Sequence, residues 1–132
     1  MNGYKHVLKS FQKSLRARSD SLKQRLHDWR GESTVARVEE PSNIARARSA
    51  GFKAKQGFVV ARVRVKKGKL VRRAPRQGRK PGRNRKTQSS GMGLKRVAEI
   101  KAGLKFPNLS VVNSYLAGED GQFKFFEVVL KK

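Results

Sequence analysis

The chain of 132 residues contains no cysteine, which excludes disulfide staples and thiolate metal sites and fits a reducing compartment. Only two histidines occur, His6 and His27. Both fall in a stretch of helical periodicity, where an isolated imidazole is ordinarily a surface or packing residue. His, Asp and Glu nowhere cluster at metal-ligand spacing. No run approaches the ~18 apolar residues of a membrane span. The N-terminus lacks the apolar h-region of a signal peptide. A soluble, intracellular protein without a membrane partner is expected. Acidic residues are scarce as well. From residue 41 to residue 98 there is no Asp or Glu, although those 58 positions hold 19 Lys and Arg.

The charge is the chain's main property. Net charge is +24, whereas a small domain ordinarily carries roughly 2–8 in magnitude. Lys and Arg packed this densely repel one another, so an ordered form needs negative charge from outside. Hydrophobic residues reach 36%, which allows a small core in a single domain. The charge is uneven. Residues 1–40 hold nine basic and five acidic side chains and residues 107–132 hold three of each, so the ends resemble ordinary protein.

Periodicity gives the elements. Tyr4, Leu8, Phe11 and Leu15 share one helical face, with Lys5, Lys9 and Lys13 as a second stripe. Like charges at that spacing favour a helix only beside something negative. Ser19 is a candidate N-cap for a second helix through Leu22, Leu26 and Trp29 that stops at Gly31. Both apolar stripes are expected to dock on the core. Val35–Glu39 reads as a strand. Pro41 and Ser42 can open a helical turn over Ile44–Arg48 that Gly51 ends. In Phe58–Lys66, Val59, Ala61, Val63 and Val65 alternate with Arg62, Arg64 and Lys66, the mark of a half-buried strand. Its cationic face is either a solvated outer face or a phosphate track, and three cations in a row favour the track.

Residues 70–93 carry almost nothing apolar and are expected to form a flexible extension fixed only against its partner. A helix follows through Leu94, Val97, Ala98 and Leu104, limited by Gly103 and Pro107. Ser110–Ala117 and Gln122–Leu130 read as two strands joined by a hairpin loop at Gly118–Gly121. Phe126, Val128 and Leu130 share one face of the last strand, and Phe123, Phe125 and Val129 the other, so helices should cover the sheet from two sides. The expected fold is α+β. It has an antiparallel sheet of about four strands with packed helices, N-terminal helices over 1–31, a core over 32–69 and 94–132, and the long basic extension over 70–93.

Chemistry follows from the same inventory. Acid–base or nucleophilic catalysis needs groups that this chain does not place together, so no enzyme and no cofactor are expected. Gly78–Thr87 imitates a phosphate-binding loop, but Arg85 stands where that loop needs Gly, and no apolar strand leads directly into it. Gly91-Met92-Gly93 carries little information. By contrast, 13 of the 25 residues from Arg62 to Lys86 are Lys or Arg. Arg offers bidentate phosphate contacts and Lys a point charge, a mixture suited to folded RNA. The candidate contacts are Arg62, Arg64, Lys66, Lys67, Lys69, Arg72, Arg73, Arg76, Arg79, Lys80, Arg83, Arg85 and Lys86, flanked by Lys5, Arg46, Arg48, Lys95 and Arg96. Phe52-Lys53-Ala54-Lys55-Gln56-Gly57-Phe58 interleaves aromatics with cations, as base-stacking segments do. Phe58 is expected in the core, and Phe52 is open to either role. A chromatin-type or general nucleic-acid-binding protein is the alternative class, but no recognition helix is evident.

Two segments go beyond composition. One is Arg46-Ala47-Arg48-Ser49-Ala50-Gly51-Phe52-Lys53-Ala54-Lys55-Gln56-Gly57-Phe58-Val59-Val60-Ala61-Arg62-Val63-Arg64-Val65. The other is Asn113-Ser114-Tyr115 followed by Gly118-Glu119-Asp120-Gly121-Gln122-Phe123-Lys124-Phe125-Phe126-Glu127-Val128. With the opening Gly3-Tyr4-Lys5, they resemble the archaeal and eukaryotic large-subunit ribosomal protein fifteen, the e-type family, distinct from the bacterial protein of that number. The resemblance implies a structural protein of the large subunit in the cytoplasm. Its partners would be large-subunit ribosomal RNA and neighbouring ribosomal proteins, with no homo-oligomer, no catalysis and no cofactor. It also implies an α+β core like that of the ribosomal proteins of the twenty-three type. Lys53, Lys55, Gln56, Arg62 and Arg64 lie within the matching run and are the implied RNA contacts. The sequence departs from the family in three places. Leu116 stands where the family usually has Trp, the basic extension has its own sequence, and the family's pattern continues past the last strand whereas this sequence ends at Lys132. A naturally shorter version and a truncated one both fit that ending.

Overall fold

The computed structural model describes residues 2–71, 77–78, 87–89 and 91–132. Strands β1 (Val35–Val38), β2 (Phe58–Lys66), β5 (Ser110–Glu119) and β6 (Phe123–Lys131) form one antiparallel sheet in the order β1-β2-β6-β5. Helices α1 (Gly3–Ala17) and α2 (Asp20–Gly31) precede it in sequence, α3 (Ile44–Ser49) lies between β1 and β2, and α4 (Leu94–Lys105) precedes β5. Two short strands, β3 (Leu70–Val71) and β4 (Thr87–Gln88), pair separately. The expected α+β architecture is thus present. Most of the basic extension, including all its Lys and Arg between 72 and 86, lies outside the described residues.

The sheet has two differently built faces. On one, Ala61, Val63 and Val65 of β2 and Phe126, Val128 and Leu130 of β6 pack against Ala98 and Ala102 of α4. The small alanines bring the helix close to the strands, and every group in this cluster is apolar. On the other face α2 contributes Leu26 and Trp29 against Phe125, while α3 contributes Ala47, beside Ala50, against Tyr115 and Val129. The Trp29 and Phe125 rings are tilted, with centroids 5.6 Å apart. Phe52 and Phe58 make an edge-on pair at 6.3 Å beside the α3 cluster, so Phe52 also packs on the core.

Local chemistry sets the ends of the elements. Ser19 caps α2 as expected, its Oγ accepting from the Leu22 N–H at 3.4 Å. Asn43, rather than Ser42, caps α3, accepting from the Arg46 N–H at 3.2 Å. Gly51 ends α3 with φ +100°, a conformation that favours glycine. Gly103 does not stop α4, which runs through it to Lys105. The β5–β6 hairpin turns later than its composition suggests, because β5 reaches Glu119. Asp120 makes that turn. Its Oδ1 accepts from the N–H groups of Gln122 at 2.8 Å and Phe123 at 2.6 Å, the two bonds by which an Asp or Asn side chain closes such a turn.

Helix α2 docks as expected, but α1 does so only in part: none of its side chains is buried, and Tyr4 and Leu15 remain exposed. A cavity of about 250 Å³ lies beneath it, lined by Phe11, Leu15, Trp29 and Leu116 among others. The α2 helix approaches the sheet closely at Gly118, where a Cβ would meet Leu26 Cδ2 at 3.1 Å and Trp29 Cζ3 at 3.3 Å. This contact lies at the register shift between Leu116 and Gly118 in β5.

Candidate nucleic-acid interface

The cations divide by what surrounds them. Arg62, opposite Glu127 in the β2–β6 register, turns inward, with its side chain 11% exposed. Its guanidinium reaches Glu127 Oε1 at 3.4 Å and Glu32 Oε2 at 3.1 Å and lies 4.2 Å above the Trp29 ring. Arg64 sits 5.0 Å from the Phe123 ring and donates to the Arg30 carbonyl at 2.6 Å. Lys67 donates to the Asp120 carbonyl at 2.6 Å and pairs with Glu119 at 3.2 Å. Arg62 and Arg64, placed on the phosphate track by alternation, and Lys67, a further candidate contact, thus have partners within the protein. Of the β2 cations only Lys66 stands exposed.

Glu127 organises that interior. It is completely buried, accepts from the Ser42 N–H at 3.1 Å, and also accepts from the Ser42 and Tyr115 hydroxyls. Tyr115 faces Glu127 across β5–β6 as Arg62 does across β2–β6, so the three form a row over adjacent strands. Burial, reinforced by the Glu127 carboxylate, pushes the Tyr115 phenol far above its ordinary value. At the hairpin, burial of Asp120 opposes its charged form. The Phe123 and Gln122 N–H groups and the Arg30 guanidinium outweigh this and hold the carboxyl below its ordinary value. The sequence carried a sign of Glu127's role. It lies two residues from Phe125 and two from Val129, a lone acid on an apolar face.

The remaining candidates lie outward in two groups. Arg46 and Arg48 on α3 and Lys53, Lys55 and Gln56 in the following loop are exposed near the start of β2, and Lys5 is exposed on α1, which packs beside α3. Lys66 and Lys69 are exposed at the far end of β2, and Lys95 and Arg96 at the start of α4. Arg96 also pairs with Glu99 at 3.4 Å. With β2 nine residues long, the two ends of that strand lie roughly 26 Å apart at about 3.3 Å per residue. Arg72, Arg73, Arg76, Arg79, Lys80, Arg83, Arg85 and Lys86 lie outside the described residues. Among the described residues no group of three or more His, Cys, Asp or Glu could hold a metal ion, and no helix is long and apolar enough to cross a membrane.

The result is a small α+β protein in which Glu127 and Asp120 serve the interior and the hairpin turn, while the candidate cations that stay exposed lie in two outward regions. That class has a family. The Ribosomal L15 family model, of the L15e type, matches residues 3–131, and the chain belongs to that family. It is similar to the large ribosomal subunit protein eL15 of Metallosphaera sedula, at 46% identity over 110 residues. The match covers 83% of this chain and 51% of that protein, so the chain spans about half the length of this curated relative.

Proposed function

We propose that this chain is a structural, non-catalytic component of the large ribosomal subunit that stabilises folded ribosomal RNA through Lys and Arg contacts to phosphate. Its place of action is then the cytoplasmic ribosome, with neighbouring ribosomal proteins as further partners. The family match over 3–131 carries the reading. The electrostatics supply its mechanism. Lys53, Lys55, Lys66, Lys69 and Lys95 are exposed cations in a chain of net charge +24, which polyanionic backbone would neutralise. The cations of the extension, from Arg72 to Lys86, belong to the same proposal. Arg62, Arg64 and Lys67 act instead by holding the fold.

Filter binding to folded large-subunit RNA across a salt series tests the proposal. Neutralising six to ten phosphates should weaken affinity by roughly 10³–10⁵ between 50 and 200 mM salt, on duplex calibration. Excess duplex DNA should displace that RNA poorly. A flat salt series overturns the proposal, and equal displacement by DNA assigns the chain to general nucleic-acid binding.

A further inference from the structure

The protein has nine carboxylates, and seven of them lie within ion-pair distance of a cation or a histidine. The two left without an ion pair among the described residues, Glu39 and Glu40, are consecutive and exposed. Both line one cleft of about 1160 Å³. The segment after α3 brings Lys53 and Lys55 to the same cleft, and Phe52 and Phe58 line it as half-buried rings. Lys55 Nζ and Lys131 Nζ each lie 6.0 Å from the Phe58 ring centre. Acceptors, cations and aromatic surface thus meet in one concavity.

We propose that this cleft takes the base of an unpaired guanosine in the bound RNA, with Glu39 and Glu40 reading its Watson–Crick edge and Lys53 and Lys55 holding its phosphates. The proposal rests on the RNA-binding reading above. A carboxylate beside polyanionic backbone is repelled unless it meets donors. Guanine presents two parallel donors, N1–H and N2–H, which one carboxylate accepts together. Adenine and cytosine set an acceptor beside their amino group, and uracil flanks its single N–H with two carbonyls, so each turns a lone pair toward a carboxylate. The half-buried rings supply a stacking surface. A basic peptide would satisfy Glu39 and Glu40 but would meet Arg37, Lys53 and Lys55 of the same lining as like charges. A nucleotide carries both donors and negative charge, matching the mixed acidic and basic lining of the cleft.

Fluorescence anisotropy of the full chain with the RNA pentamers UUGUU, UUIUU and UUAUU tests this, inosine lacking the guanine amino group. The guanosine pentamer should bind at least about tenfold tighter than the other two, the scale of a charge-assisted hydrogen bond. The double variant Glu39→Gln, Glu40→Gln should erase that preference, weakening UUGUU relative to UUAUU, while keeping the melting temperature. Equal binding of all three pentamers overturns the proposal. So does a double variant that tightens all three by one factor, since the carboxylates then only repel. A nona-arginine peptide that binds wild type but not the double variant, without any guanosine preference, overturns it in favour of a protein partner. If pentamers and ribosomal RNA bind with salt dependence but without base preference, this inference alone fails. If neither binds in a salt-dependent way, the RNA-binding reading fails with it.

Discussion

Glu127 and Val128 are consecutive on β6, both completely buried, and they face opposite sides of the sheet. Val128 enters the apolar face under α4, where close packing supplies the cohesion. Glu127 enters the face under α2 and α3, where a carboxylate is tolerated because Ser42, Tyr115 and Arg62 meet it from three directions. The first face depends mainly on shape, with one polar contact where Ser114, opposite Val128, donates to Glu99 of α4 at 2.7 Å, and the second depends on charge matched across strands. The difference decides which cations are available outside. Arg62 and Arg64 hold the second face together, whereas Lys66, on the same strand, ends in solvent.

The sharpest break in this comparison comes from substituting those two neighbours in turn. Glu127→Ala leaves the Arg62 guanidinium and the Tyr115 hydroxyl without their buried partner and is expected to cost about 3–5 kcal/mol. Val128→Ala removes two methyl groups and leaves a small void, for about 1.5–3 kcal/mol. Denaturant titration of both variants checks the order, and a Glu127→Ala loss no larger than that of Val128→Ala would show that the network adds little. Gly118→Val forces a side chain toward Leu26 and Trp29 and should cost about 1–3 kcal/mol, with Trp29 fluorescence reporting displacement of α2. An unchanged spectrum with unchanged stability would contradict that close approach.

Both titrating groups give signed expectations. The Asp120 carboxyl is held below its ordinary value of 3.8 in the fold, so its contribution is complete above that pH and lost as pH falls through the lower, folded value. Asp120→Asn should flatten this acid limb. Tyr115 is raised above its ordinary 10.0, so stability falls as pH rises beyond that value, and Tyr115→Phe should remove the alkaline limb. Melting curves across pH check both. The smallest effect is expected at the cavity under α1. Leu116→Trp should fill part of it and raise stability by about 0.5–2 kcal/mol. No gain would mean that α1 moves aside instead of closing on the new ring.

Much of this was legible in sequence because alternation and helical spacing are direct consequences of burial. The strands β2 and β6, the coverage of β6 from both sides and the α4 stripe all follow from the placement of apolar residues. What alternation cannot decide is whether a charged position opposite an apolar row meets water or a helix. Arg62 reads as outward until β6 sets Glu127 beside it and α2 lays Trp29 over it. The α1 stripe shows the reverse. Periodicity identifies which side of a helix is apolar but not how much surface the rest of the chain supplies to cover it. Asn43 was hidden by Pro41 and Ser42, the more familiar helix-opening pair, because Ser42 is drawn instead to Glu127. For the candidate interface, cation density located the 46–56 and 66–69 regions. Glu39 and Glu40 gain meaning only once the fold shows that the other carboxylates are paired.

Under the proposed function, outward cations bind RNA while inward ones hold the fold. The most direct measurement is the slope of log affinity for folded large-subunit RNA against log salt, for wild type and for a variant with Lys53, Lys55, Lys66 and Lys69 all changed to Ala. Each lost phosphate contact should reduce the slope by about 0.7–0.9, so a reduction near 3 is expected, with the melting temperature unchanged. An unaltered slope, or a variant that unfolds, would contradict the division of roles.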